Sequence, residues 1–254
     1  MAVSGKSKEV PAAGGIKGYL AATRSPMVAG VVTLPLLLLY NVGLMVPGNK
    51  TVNAADLFTT ILIGQVGKYG FLAINGVLVC ASVAVMVVLT KRGLFRPKYW
   101  LTLCLEGLAL GLVMGHAVMF IMGSAHLLST AQGHHYSVAQ SLSLSAGAGY
   151  WEELVFRLVM IGGPIAMARR VYLKKGVGKR AVQVSKVVAV GTLAVIFSSL
   201  VFSLSHYLGS ESIDGFTFSY RAISGVVFAA IFLVRGFAVA AYTHFLYDVV
   251  VFLF

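Results

Sequence analysis

The stretch Tyr69–Thr90, YGFLAINGVLVCASVAVMVVLT, contains no charged residue and is long enough to cross a lipid bilayer as one helix. The whole chain has the same character, since 58% of its 254 residues are hydrophobic and 11% are charged. Soluble domains carry roughly 25% charged residues. A chain this apolar cannot cover a water-facing surface, so we expect an integral membrane protein with the lipid bilayer as its solvent.

Further apolar runs of similar length lie on both sides of this stretch. Together they predict an all-α, polytopic transmembrane helix bundle of about seven spans. The segment Asp56–Val66 is expected to be an interfacial helix, and Gly123–Gly149, rich in Ser, Gly and His, a loop. The seven expected spans are Met27–Val46, Tyr69–Thr90, Trp100–Met122, Tyr150–Ala168, Val187–Tyr207, Phe218–Val234 and Phe237–Phe254.

The formal net charge of +12 is typical of nucleic-acid-binding proteins, but its placement argues against that class. Lys and Arg lie in short clusters between the apolar runs, as residues that set membrane topology do. Sixteen of the 20 lie on one side of the seven-span arrangement and three on the other, while Arg157 lies within a span. We therefore expect a cytoplasmic N-terminus, an extracytoplasmic C-terminus, and a place in the bacterial cell (inner) membrane.

Ionisable residues inside the expected spans are few, and each costs several kcal/mol unless it is paired or hydrated. Three short patterns contain most of them. In EELVFR, Glu152–Arg157, the side chains of Glu153 and Arg157 share one helical face and are expected to form an ion pair. Glu152 is expected to point about 100° away from Glu153 on an α-helix.

The second pattern is FSLSH, Phe202–His206, and the third is HFLYD, His244–Asp248. Carboxylates and imidazoles on three helices are the groups with which a hydrolase activates water and stabilises an oxyanion. They are equally suitable ligands for a divalent metal such as zinc. Each pattern alone also has a structural interpretation, as a buried ion pair, a polar helix end or an interhelical polar contact.

In this order, the three patterns resemble the motifs E-E-x-x-x-R, F-x-x-x-H and H-x-x-x-N/D of the CAAX-processing and bacteriocin-immunity (CPBP) family of intramembrane proteases. The resemblance covers roughly residues 140–254. The apolar runs and the charge placement indicate a cytoplasmic N-terminal tail, residues 1–26, and N-terminal transmembrane helices, residues 27–139. The resemblance implies that residues 140–254 form a catalytic transmembrane region.

The resemblance also implies roles for the site residues. Glu152 and His206 would activate the attacking water, and His244 with residue 248 would bind the oxyanion. Glu153 would order the catalytic site. Prenyl-protein proteases of the family usually have Asn where this chain has Asp248, so Asp248 is expected to be protonated, to orient His244 or to bind a metal. The supporting residues are Arg157 and Phe202, and a metal, if one is used, would be bound by Glu152, His206 and His244.

The expected topology places all three patterns in the outer half of the bilayer. We therefore expect an endopeptidase that cuts a membrane-anchored protein near the C-terminal tail of an exported protein, similar to the myxosortase-type members of the family. The alternatives are a CAAX-type prenyl-protein or peptide-maturation protease with a cytoplasmic site, a non-catalytic immunity or scaffold protein, and a small ion transporter. The sequence leaves the cofactor open between a divalent metal and none, and it leaves the oligomeric state open.

Overall fold

The computed structural model of the chain describes residues 15–46, 53, 55–56, 59–123, 137–173, 180–208 and 212–253, and all regular structure within them is helical. Between α5 and α6 lies a π-helix, Ala148–Gly162, called the π segment below, and α7 ends in a 3-10 turn, His206–Leu208. The expected all-α architecture is confirmed. The α-helices are α1 (Gly15–Arg24), α2 (Pro26–Leu44), α3 (Thr59–Lys91), α4 (Lys98–Ile121), α5 (Val138–Gly147), α6 (Gly163–Tyr172), α7 (Arg180–Ser205), α8 (Gly215–Arg235) and α9 (Phe237–Leu253).

Within the described residues, five helices are long and apolar enough to cross a membrane, namely α2, α3, α4, α7 and α8. Helix α9 is apolar but has only 17 residues. The fourth expected span is not a single α-helix, because α5, the π segment and α6 follow one another without interruption. The chain is therefore a polytopic helix bundle, as expected, with one span of unexpected form.

The prediction of a loop at Gly123–Gly149 is wrong for residues 138–149, which are helical. Residues 124–136 lie outside the described residues. Helix α5 begins with a capping box in which Ser137 and Gln140 bond each other's backbone N–H groups, an arrangement that favours helix initiation. Its serines face the bundle, and the Ser143 hydroxyl donates to the carbonyl of Tyr40, 3.3 Å away in α2. Small polar residues therefore serve here as a helix–helix contact.

Helix α9 lies at the centre of the bundle and contacts α4, α5, α8, α2 and the π segment. Its residues 237–244 are all buried. Helix α4 packs closely on α9 through Gly107, Gly111 and Gly115. A Cβ added to Gly111 would lie 3.2 Å from the carbonyl oxygen of Thr243. Small residues at every fourth position let two helix backbones approach closely. This contact fixes the depth at which α9 carries its polar residues.

Helix α3 lies at the edge of the bundle and packs on α2. It is broken at Gly67, whose φ of 68° and ψ of 175° are not helical and are readily adopted only by glycine. The interfacial helix expected at Asp56–Val66 thus corresponds to residues 59–66 of the structure, ahead of this break. Between α2 and α3, Asn53 is placed so that its side chain contacts Glu152 in the bundle interior.

Candidate active site

The π segment carries Glu152, Glu153 and Arg157, and all three side chains are buried. Nη1 of Arg157 lies 3.3 Å from Oε1 of Glu153, which confirms the expected ion pair. Both carboxylates also approach the ring of His244, Glu153 at Nδ1 and Glu152 at Nε2. The segment is a π-helix, in which the hydrogen bonds run from i to i+5 and each turn is wider than an α-helical turn. π-helical turns are rare in proteins overall, and those that occur are often found at functional sites.

The guanidinium of Arg157 lies among aromatic rings beneath the carboxylates. Its Cζ is 4.4 Å from the ring centroid of Phe202, 5.2 Å from that of Phe228 and 5.9 Å from that of Phe156. A buried cation is costly unless it is paired, and here one carboxylate and three ring faces compensate it. Arg157 therefore fixes Glu153 from below and does not line the site.

His244 of α9 is the central group of the cluster. Its Nδ1 is 2.8 Å from Oε1 of Glu153, while its Nε2 is 3.8 Å from Oε2 of Glu152 and 3.7 Å from Oδ2 of Asp248. The imidazole also stacks on Phe228 at 4.2 Å between ring centroids. A carboxylate can only accept, so Nδ1 carries a proton and Nε2 is directed at the other two carboxylates.

His206 belongs to the 3-10 turn that ends α7. Its Nδ1 is 2.8 Å from the carbonyl oxygen of Phe202, so Nδ1–H is the donor there and the neutral ring has its lone pair on Nε2. The Phe202 ring lies 5.0 Å from the His206 ring and 6.0 Å from the His244 ring. His206 is also near enough to Glu152 for a direct electrostatic interaction.

A cavity of about 320 Å³ joins these residues. Glu152, His206, His244 and Asp248 all line it, as does Phe202, whereas Glu153 and Arg157 lie behind its wall. The volume is within the range of small-molecule and peptide-side-chain pockets. The structure thus brings together at one cavity four of the five side chains that the sequence predicted as catalytic.

Several lining residues were not predicted from sequence. Asn53 donates from Nδ2 to Oε1 of Glu152 at 2.6 Å, and no motif marks it, since it lies in a loop nearly a hundred residues earlier. Tyr220 and Tyr247 bring their hydroxyls together beside Asp248. Tyr247 lies inside the HFLYD pattern, one turn after His244, so helical spacing could have identified it. Arg221 of α8 supplies a permanent positive charge to the wall.

The first turn of α8, which carries Thr217 into the cavity wall, is capped by Asp214. The Asp214 carboxylate accepts from both the backbone N–H and the hydroxyl of Thr217, each at 2.8 Å. These hydrogen bonds hold the pKa of Asp214 below its usual range, because they stabilise the charged form. The cap therefore fixes the start of one cavity wall at neutral pH.

Within the set expected to bind a metal, Glu152, His206 and His244, two atoms are bonded by other side chains. Oε1 of Glu152 accepts from Asn53, and Nδ1 of His244 is bonded to Glu153, as is common for a histidine whose other ring nitrogen binds a metal. Within the described ranges, no three His, Cys, Asp or Glu side chains are arranged to hold a metal ion. No step below uses a metal.

Two other ionisable residues of the apolar helix α4, Glu106 and His116, lie outside the cavity. Glu106 pairs with Arg235, with Nε to Oε1 at 2.6 Å and Nη2 to Oε2 at 2.9 Å, and also accepts from the Tyr19 hydroxyl. Glu106 is therefore paired with a basic residue away from the cavity. His116 is exposed and bonds the carbonyl of Leu112 in its own helix. The histidines at 126, 134 and 135 lie outside the described residues.

Comparison with known proteins adds one finding. Residues 134–250 match the family model described as Type II CAAX prenyl endopeptidase Rce1-like. Neither the curated proteins nor the solved structures give a match. The matched segment contains all three motifs. It supports the resemblance to the CAAX-protease (CPBP) family of membrane proteases that was drawn from those motifs.

Proposed function

We propose that this protein is an intramembrane endopeptidase that hydrolyses a peptide bond with a water activated by Glu152 and His206. One observation carries the proposal: ionisable side chains from the π segment, α7 and α9 line a single cavity. If each motif had only a structural role, the three motifs could make separate contacts and would not need to line one cavity. Convergence on a common space is what a hydrolytic site requires.

The proposed reaction begins with a water between Oε2 of Glu152 and Nε2 of His206. As its oxygen forms a bond to the scissile carbonyl carbon, its proton passes to this pair. The C–N bond then breaks, and the proton is returned to the leaving amine. Water is thereby split between the new carboxyl and amino termini. Glu153 and Arg157 hold the ring of His244 in place throughout.

The oxyanion would be stabilised by His244 and Asp248. With Nδ1–H donated to Glu153, His244 needs its second proton to donate from Nε2, and three carboxylates around the ring favour that cation. Two cations, Arg157 and His244, then face three carboxylates in one buried cluster. Charge balance is reached when one carboxylate is neutral, and we assign that state to Asp248. A neutral Asp248 can donate to the oxyanion as an Asn would.

The proposed substrate is a membrane-anchored protein cut near the C-terminal tail of an exported chain. In support, the cavity lies where α7 ends and α8 begins, whereas Arg180, Lys98 and Arg235 lie at the opposite helix ends. Since basic residues remain cytoplasmic, the cavity would open to the extracytoplasmic side. Reporter fusions after Ala125 and after Gly178 test this orientation, and export of the second reporter contradicts it.

The deciding experiment compares the membrane-protein C-termini of cells with wild-type protein, Glu152→Gln or His206→Ala. We expect at least one uncleaved membrane-anchored tail to accumulate in both variants, with each variant folded and present at wild-type level. Purified wild-type protein in liposomes should cleave an internally quenched peptide of that tail. C-termini that are unchanged in both variants contradict the hydrolase. Loss of the folded protein in both variants favours a scaffold.

A second candidate is a CAAX-type protease acting on a prenylated tail. Two observations favour it, namely the family match itself and Arg221 in the cavity wall. Arg221 stacks on Tyr207 at 5.3 Å, and a guanidinium there suits a substrate carboxylate near the scissile bond. Cleavage of a quenched farnesylated peptide with a free C-terminus, but not of its C-terminal amide, would favour this candidate over the first.

A further inference from the structure

Asn53 contacts the proposed general base from outside the segment that matches the family. Its Nδ2 donates to Oε1 of Glu152 at 2.6 Å, and its side chain lines the catalytic cavity. It lies in the loop between α2 and α3, whereas the family match begins at residue 134. The N-terminal half of the chain thus reaches the catalytic carboxylate directly.

The orientation of the Asn53 amide is set by its other contacts. Its Oδ1 accepts from the backbone N–H of Ala55 at 2.8 Å, which leaves Nδ2 for Glu152. The reversed amide would place two oxygens against each other at 2.6 Å and lose the bond from Ala55. The hydrogen-bond network therefore allows one amide orientation only.

Asn53 and Asp56 are both bonded to the Tyr40 side chain of α2. The backbone N–H of Asn53 donates to the Tyr40 hydroxyl at 3.1 Å, and that hydroxyl donates to Oδ2 of Asp56 at 2.7 Å. Oδ1 of Asp56 accepts from the first N–H of α3, on Thr59, at 2.8 Å. Tyr40 is fully buried. The backbone of Asn53 is therefore held by a hydrogen bond to a buried tyrosine, as suits a positioning group.

This contact makes the two oxygens of Glu152 inequivalent. Oε1 is occupied by Asn53, while Oε2 is buried and accepts no hydrogen bond from any residue within the described ranges. Oε2 lies 3.8 Å from Nε2 of His244, on the side where the other catalytic groups converge. A carboxylate held by one oxygen in this way presents its second, unbonded oxygen to water.

We propose that Asn53 is a positioning residue that holds Glu152 by Oε1 and so makes Oε2 the atom that takes the proton of the attacking water. The proposal rests on the proposed function of Glu152. It adds that the N-terminal half, through the loop before α3, is part of the catalytic machinery. A separated C-terminal half would lack this support.

The test is Asn53→Asp, because aspartate keeps the shape and the acceptor for Ala55 but loses the donor to Glu152. Using the quenched tail peptide, we expect kcat to fall by about 10- to 100-fold, as for other groups that orient a catalytic ligand, with KM within about twofold. The acid limb of the pH–rate profile should move to higher pH, because a carboxylate that loses a donated hydrogen bond is protonated more readily.

The matched control is Asn41→Asp. Asn41 is a buried amide of α2 that donates from Nδ2 to Oδ1 of Asn75 at 2.6 Å, and it does not line the cavity. Its substitution removes the same kind of donor. We expect it to lower the thermal stability and to leave kcat per folded molecule and the pH profile unchanged.

The outcomes separate this proposal from the function on which it rests. If Glu152→Gln is inactive while Asn53→Asp keeps the wild-type kcat and pH profile, the positioning role is wrong and the hydrolase stands. The role is also wrong if Asn53→Asp loses activity only in proportion to the folded protein lost. If Glu152→Gln keeps full activity, the proposed function itself fails.

Discussion

Oε1 of Glu153 and Nδ1 of His244 are 2.8 Å apart, and the carboxylate is completely buried. The same oxygen atom is the one that pairs with Arg157. One carboxylate therefore neutralises a buried guanidinium and also fixes the tautomer and orientation of an imidazole on another helix. These contacts connect Arg157 and Glu153 of the π segment to His244 of α9, and they orient Nε2 of His244 toward the cavity.

Glu153→Gln should therefore remove catalysis without removing any group that lines the cavity. The amide keeps the size of the carboxylate but leaves the Arg157 charge uncompensated, which costs on the order of 3 kcal/mol of stability. We expect kcat to fall by about 100-fold or more, since a ring that lacks its carboxylate adopts the wrong tautomer. The measurements are peptide cleavage and the thermal midpoint in detergent.

Glu106→Gln is the control for this prediction. It also breaks an intramembrane carboxylate–arginine pair, with Arg235, but that pair lies away from the cavity. It should lower the thermal midpoint and keep the activity of each folded molecule. Equal activity losses in the two variants would mean that Glu153 acts through stability alone.

Asp248→Asn restores the residue that is usual in prenyl-protein proteases and should keep the enzyme active. A neutral Asp248 donates to the oxyanion only while it is protonated, so the wild-type rate should fall on the alkaline side as it ionises. An amide does not titrate. We expect the variant to keep kcat within about fivefold at the wild-type optimum, as an equivalent single donor, and to lose that alkaline fall. An inactive but folded Asp248→Asn, with Asp248→Ala equally inactive, would show that the negative charge is needed.

The sequence predicted the helical bundle and the cluster because both depend on local or compositional features. Charged groups such as Glu152 are so costly in lipid that their presence in apolar runs is informative by itself. The contact of Glu153 with Arg157 follows from spacing along one helix. Neither inference requires knowledge of how the helices pack.

Other features depend on packing and could not be predicted in this way. The π-helical turns that carry Glu152 and Glu153 are not marked by local spacing, and they pack on α7, where the Ser198 hydroxyl donates to the carbonyl of Phe156 at 2.5 Å. No local sequence feature marks Asn53, because its contact with Glu152 depends on the packing of distant segments. Serines at 141, 143 and 145 look like a loop composition, although they are buried in α5.

The close contact of α4 with α9 predicts a strong effect of Gly111→Val. A Cβ at Gly111 would lie 3.2 Å from both the Thr243 oxygen and the Tyr247 nitrogen, and these are backbone atoms that cannot rotate away. We expect a loss of about 1–3 kcal/mol and a larger loss of activity, because α9 carries His244. Unfolding in detergent and peptide cleavage measure the two effects.

Gly76→Val is the matched control, because a Cβ there meets nothing within 4 Å. Gly76 is on the exposed face of α3, so the substitution should change stability by less than about 0.5 kcal/mol. If Gly111→Val behaves as Gly76→Val does, the α4–α9 contact is looser than the structure indicates.

The Asp214 cap predicts a pH-dependent stability of α8. Because the folded pKa of Asp214 lies below its usual value, the cap stabilises the fold above the unfolded pKa. That contribution is lost as the pH falls through the folded pKa. We expect Asp214→Ala to lower the thermal midpoint at neutral pH and to match the wild type at strongly acidic pH. Asp214→Asn, whose amide oxygen can still cap, should have a much smaller effect at neutral pH. A deficit of Asp214→Ala that is the same at every pH would rule out the charged cap.

Removal of metal ions should leave peptide cleavage unchanged. The proposed reaction assigns Oε2 of Glu152 and Nε2 of His206 to water, and within the described residues no three His, Cys, Asp or Glu side chains are arranged to hold a metal ion. Purified protein treated with 1,10-phenanthroline and passed through a chelating column should therefore keep its kcat, and added Zn²⁺ should not raise it. The control is the same treatment of a known zinc protease in the same detergent. Loss of activity that stoichiometric Zn²⁺ restores would replace the carboxylate–imidazole mechanism by a metal-bound water.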